Sequence, residues 1–137
     1  MERTERMKLS DCEVGVVLAT ADMKAAREFY EDKLGLTPAE EPSGDERVPI
    51  TYPCGKGTGI NVYLSPDHAG KSTATLAGWE VEDVEALVDE LTANGVAFER
   101  YDEDDLKTND KGIVEGDAFK VAFFRDPDGN THALNGS

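Results

Sequence analysis

The sequence predicts an α+β domain made of two copies of one βαβββ unit. Three observations carry this expectation: a segment order that recurs, an aspartate closing the first strand of each copy, and a glycine ending each helix. Residues 14–22 open the first copy and residues 74–83 the second, each β-rich and each closing on Asp22 or Asp83. An aspartate at that point accepts from the free N–H groups of a helix start and opposes the positive end of the helix dipole. Ala26, Phe29, Tyr30 and Leu34 are spaced for one face of the first helix, and Val84, Leu87, Val88 and Leu91 for one face of the second. Gly35 in Leu-Gly-Leu and Gly95 in Asn-Gly-Val then stop the two helices, the usual chemistry just past a helix end.

Strands complete each copy. In the first they are expected at 36–40, 48–52 and 60–64, punctuated by Pro42-Ser-Gly and Cys54-Gly-Lys-Gly. In the second they are expected at 97–99, 119–125 and 131–135, the last two joined by the turn Asp126-Pro-Asp-Gly-Asn130. The copies thus span about 12–65 and 74–135 of one domain, 11–137, preceded by a charged tail, 1–10. Met7 is a possible alternative start, and the residues before it are expected to be poorly ordered. Residues 101–117 break the repeat: long, glycine-punctuated and acidic at Asp102-Glu-Asp-Asp105, they are a lid or a disordered loop, with a short strand near Ile113 allowed.

Composition narrows the function. A length of 137 residues suits one domain with a real core. A net charge of −15 argues against nucleic acid and anionic membrane as partners, and permits a cationic ligand or a basic partner. The same charge also serves solubility. The first ten residues lack the apolar run of a signal peptide, so a cytoplasmic location is expected. Cys12 and Cys54 form no disulfide framework or zinc spacing and are expected as reduced, partly buried thiols.

Three motifs now carry a resemblance. Ala25-Ala-Arg-Glu-Phe-Tyr-Glu-Asp-Lys-Leu-Gly-Leu36, Trp79-Glu-Val-Glu-Asp-Val-Glu85 and Phe123-Phe-Arg-Asp-Pro-Asp-Gly-Asn130, in this order, are similar to segments of the vicinal-oxygen-chelate superfamily. That group holds glyoxalases, bleomycin-resistance proteins and extradiol dioxygenases. The resemblance implies that both units form a curved mixed sheet enclosing a cup, with helices outside. It also makes a homodimer, common in the superfamily, an expectation. Metal-using members project ligands into the cup from the first and last strands of each unit, because a divalent ion there holds two neighbouring substrate oxygens. Carried over, the ligand positions are Gly15 and Leu76, each seven residues before its capping Asp, and Ala133, four after Gly129. Asn61 or Tyr63 takes the looser fourth place. Glycine, leucine and alanine offer no donor atom, so no metal site and no cofactor are expected. His132 is expected to point away from the cup as a structural, hydrogen-bonded side chain, and His68 to face solvent.

Strand alternation assigns the lining. Val14, Val16 and Leu18, Ala77, Trp79 and Val81, and Ile60, Val62 and Leu64 should pack beneath the helices. Gly15, Val17, Ala19, Leu76, Gly78 and Ala133 should line the cup, together with the ligand-binding candidates Glu13, Asn61, Tyr63, Glu80 and Thr131. A mostly apolar concavity with a few polar groups is the usual form of a small-molecule site. No nucleophile elbow, P-loop or HExxH is present, and Gly55-Lys-Gly-Thr-Gly59 reads as a hairpin loop. The expected function is metal-free binding of a cationic or aromatic small molecule. The alternatives are an enzyme of glyoxalase or dioxygenase type with Glu80 or Glu13 as base, the role resting on burial raising the pKa, or a scaffold binding a basic partner through Asp102–Asp105.

Overall fold

A computed structural model describes residues 8–137, so the expected disorder before Met7 lies outside the described residues. Residues 8–10 of the expected tail enter an exposed 3₁₀ turn, Leu9–Asp11. β1 (Val16–Thr20) leads to helix α1, which is α-helical over Met23–Arg27 and widens to a π-helix over Glu28–Lys33. β2 (Ile50–Pro53) and β3 (Gly59–Leu64) finish the first module. The second holds β4 (Thr75–Val81), α2 (Val84–Ala93), a hairpin of β5 (Asp102–Glu103) and β6 (Leu106–Lys107), then β7 (Ile113–Glu115), β8 (Lys120–Arg125) and β9 (Thr131–Gly136). No described helix is long and apolar enough to cross a membrane.

The repeated caps form as expected. Asp22 accepts from the Ala25 N–H and Asp83 from the Ala86 N–H, at 3.2 and 3.0 Å. Gly35 and Gly95 take φ of +77° and +101°, a region open to glycine without strain. Beyond Gly35, the Leu36 N–H donates to the Tyr30 carbonyl at 2.9 Å and closes the helix end.

That bond is one reason the expected strand at 36–40 does not form. Leu36 is committed to the helix end, Pro38 has no N–H, and only the Ala39 N–H reaches the neighbouring strand, at Thr51 O, 2.8 Å. The first sheet is therefore three-stranded, β1-β3-β2, with β1 parallel and β2 antiparallel to β3. The second is four-stranded, β4-β9-β8-β7, with β4 parallel to β9 and the rest antiparallel. β1 and β4 lie side by side where the two open, curved sheets meet.

The expected strand at 97–99 is a fragment of a split edge strand. Phe98 bridges Phe124, and the Glu99 N–H donates to Phe123 O at 2.8 Å. Pairing resumes only at Ile113, opposite Ala122. Residues 100–112 thus leave the edge of β8 and return one rung further along. They are ordered by the β5–β6 hairpin and pinned to α2 through Lys111, whose ammonium meets Glu85 at 2.8 Å and Asp89 at 3.1 Å.

The core lies between helices and sheets. Leu18, Ile60, Val62, Ala77, Ala122, Phe124 and Leu134 from the strands meet Phe29, Tyr30, Val84, Val88 and Leu91 from the helices. Val14, expected beneath the helices, is 82% exposed. β1 begins only at Val16, and alternation does not extend into the open chain before it. Cys12 is exposed for the same reason, whereas Cys54 is half-buried.

Candidate functional site

The helix-facing side of β9 carries a buried polar chain that joins the modules. His132 is fully enclosed, its ring stacked on Phe124 with centroids 4.8 Å apart. The Trp79 indole N–H donates to His132 Nδ1 at 3.1 Å, which leaves the proton of a neutral imidazole on Nε2. Nε2 sits 3.0 Å from the Tyr30 hydroxyl, which donates to Asp126 Oδ2 at 2.6 Å. The Asn130 side chain donates to the same oxygen and to the Ala19 carbonyl, both at 2.9 Å. Asp128 completes the clamp by accepting from the Thr20 hydroxyl at 2.6 Å and the Ala21 N–H at 2.9 Å.

Burial holds His132 at a pKa of about 4, against the weaker opposing pull of Asp126. Burial also raises the Tyr30 hydroxyl far above its ordinary value, reinforced by Asp126. Both groups stay neutral near pH 7, and among the described residues no buried side-chain polar atom lacks a partner. The chain is therefore a fully satisfied structural network. Tyr30→Phe strands the His132 N–H and takes one donor from Asp126, and is expected to cost about 2 kcal/mol in a urea titration.

The opposite sheet side is open. Val17 is 63% exposed and Leu76 39%, on the adjoining strands β1 and β4. Across β3, Asn61 pairs with Val17 and Tyr63 with Ala19. In the other sheet, Phe123, Ala133 and Gly78 form one row. Tyr101, the first aromatic of the inserted segment, meets Phe123 edge-on with centroids 5.9 Å apart. Sequence reading did not place this aromatic pair; alternation from the core residue Phe124 is the signal that puts Phe123 on the open side.

The five ligand-binding candidates do not converge. Asn61 and Tyr63 share β3, but Asn61 is already engaged, accepting from Thr51 Oγ1 at 2.6 Å and donating to Val16 O at 3.3 Å. Glu80 and Thr131 sit at opposite ends of the β4–β9 pair, Glu80 exposed and Thr131 buried between Arg125 and Thr75. Glu13 is exposed ahead of β1, its carboxylate against Gly57 of the β2–β3 loop. The weak catalytic candidate, Glu80, and its alternate, Glu13, thus lack the burial that the general-base role required.

The donor set does not fit a divalent ion. Gly15 has no side chain, and a Cβ there would meet Asn61 Nδ2 at 3.2 Å and Gly59 O at 3.3 Å. Leu76 occupies a bulge in β4, and Ala133 is closed in between Gly78 and Phe123. Among the described residues no three His, Cys, Asp or Glu side chains gather as a metal set.

The paired modules and the Asp126–Asn130 turn place this fold beside known ones. The model of the Glyoxalase/Bleomycin resistance protein/Dioxygenase superfamily matches residues 14–134. The chain belongs to that superfamily. UcmS2 shares 23% identity at a TM-score of 0.71, with 96% of this chain and 99% of that one covered. TnmS3, an antibiotic binding protein from Streptomyces sp. CB03234, shares 22% at 0.67, covering 89% and 92%. A glyoxalase/bleomycin resistance protein from Catenulispora acidiphila shares 21% at 0.65, covering 91% and 97%. No curated protein sequence matches significantly. At these identities the likeness carries the superfamily's fold, and function rests on the residues described above.

Proposed function

We propose that this superfamily member is a metal-free small-molecule-binding protein that takes a cationic or aromatic ligand on the open sheet face. The observation that carries the reading is that face itself. Val17 and Leu76 stand in solvent on adjoining strands, beside the small residues Gly78 and Ala19 and the aromatic side chains Tyr63, Phe123 and Tyr101. A monomer gains nothing from leaving such a surface uncovered, and apolar surface next to a few polar groups is what a ligand covers. The net charge of −15 suits a cation, and the aromatic rings offer faces to stack on. The exposed carboxylates of Glu13 and Glu80 support binding over catalysis. That TnmS3, which shares this fold, is an antibiotic binding protein supports the same direction. Two copies pairing over their open faces would enclose the ligand, and the proposal includes that homodimer, acting in the cytoplasm.

The test is a panel of cationic and aromatic compounds screened by thermal shift and then calorimetry. A true ligand raises Tm in proportion to the logarithm of its concentration. Tyr63→Ala and Leu76→Arg are each expected to weaken it about tenfold or more, roughly 1.4 kcal/mol. One tightly held Ni²⁺, Zn²⁺, Mn²⁺ or Fe²⁺ per chain, with substrate turnover, would sink the proposal.

A further inference from the structure

The missing strand at 36–40 leaves a groove. Apart from the bond from Ala39, residues 39–49 do not pair along β2, and together with α1 they flank a cleft of about 770 Å³. None of Val17, Tyr63, Leu76 or Phe123 lines it; it touches the open face only at Thr51, whose hydroxyl donates to Asn61. Its apolar part is made by Met23 and Ile50, both buried, with Pro42, Pro49 and the half-exposed Val48.

The charge around that apolar part is one-sided. Arg27 is neutralised by Glu31, Nε to Oε2 at 2.8 Å and Nη2 to Oε1 at 3.2 Å, and the Tyr52 hydroxyl donates to the same carboxylate at 2.9 Å. Asp45 is spent on Arg47, at 3.1 Å. Among the described residues, Glu28 and Asp32 on α1 and Glu40, Glu41 and Glu46 on the facing segment have no ion-pair or hydrogen-bond partner for their side chains. Lys24 is the one lining cation outside an ion pair. Five carboxylates around an apolar cleft concentrate cations there, and the cleft has the volume of a small-molecule site.

We propose that this groove is a second binding site, for a small organic cation with an apolar body. The ammonium sits among Glu28, Asp32, Glu41 and Glu46, and the body covers Pro42, Val48 and Pro49. The site needs neither the open face nor a dimer.

Benzyltrimethylammonium is the probe, titrated into the full chain while backbone amide shifts are recorded. Saturable shifts are expected in residues 24–32 and 39–51, with a Kd on the order of 1 mM at low salt, weakening severalfold at 0.5 M salt, on the order expected from Debye screening. The variant Glu28→Gln/Asp32→Asn/Glu41→Gln/Glu46→Gln alters only surface carboxylates, and is expected to weaken binding at least tenfold, roughly 1.4 kcal/mol, with Tm preserved. Tyr63→Ala and Leu76→Arg should leave these shifts unchanged. Shifts that do not saturate, that survive the four substitutions, or that fall only around Val17, Tyr63 and Leu76 overturn the groove. The last outcome would do so while supporting the open face, so the two readings fail separately.

Discussion

Phe124→Ala is expected to lower stability by about 4 kcal/mol and Tm by roughly 15 °C. Phe124 is fully buried at the point where both layers meet. Its ring stacks on His132, lies 6.0 Å from Phe29 and 5.6 Å from Phe98, and its backbone bridges the split edge strand at Phe98. Truncation leaves a cavity walled by side chains that strands and helix hold in place, so it cannot collapse cheaply. It also removes the apolar wall that keeps His132 dry. Equilibrium urea unfolding checks the value, with the slope expected to stay that of the wild type. A loss below about 1 kcal/mol would mean that the site repacks, and that the core is looser than the contacts require.

Acid should destabilise the fold by about 3 kcal/mol through His132 alone. The folded pKa of about 4 lies below the ordinary imidazole value of 6.5. Between those values the unfolded chain binds a proton that the folded chain refuses, so stability falls as pH falls. The contribution is fully present above pH 6.5, declines steadily towards pH 4, and is flat below it. At about 1.36 kcal/mol per pH unit the window amounts to about 3 kcal/mol. Carboxylates add their own slope, so the quantity to measure is the difference between wild type and His132→Gln across pH 4–7. The variant is expected to be less stable at pH 7, because Trp79 and Tyr30 lose their shared partner, and to lose less stability on acidification. Parallel curves for the two proteins would show that His132 takes up a proton as readily in the fold as in the unfolded chain, so that burial does not hold it neutral.

The parts legible from sequence are those with local physical causes. Asp22 and Asp83 cap because a carboxylate satisfies helix N–H groups wherever it stands before a helix. Gly35 and Gly95 terminate because the backbone there needs a positive φ. Alternation placed His132 with the helices and Tyr63 away from them, since successive strand residues must face opposite sides. The absence of donor atoms at Gly15, Leu76 and Ala133 was equally visible, because a side chain's chemistry is written in its identity.

Other features depended on partners distant in sequence. No local pattern links Tyr30 to Asp126 and His132, about a hundred residues on, or brings Asp128 to Thr20. These bonds exist because β1 and β4 meet and the Asp126–Asn130 turn folds over the junction. The expected strands at 36–40 and 97–99 had adequate β propensity, yet whether a segment pairs is decided by the edge available to it. Leu36 was claimed by a helix end, and residues 100–112 interrupted the edge of β8. The same failure at 36–40 opened the acidic groove on α1. Sequence alone determined the repeated units and their caps, since each rests on a residue's own chemistry and its near neighbours. Tertiary structure alone decided the inter-module clamp, the aromatic pair of Tyr101 and Phe123, and the groove, since each arises where separate segments share one volume.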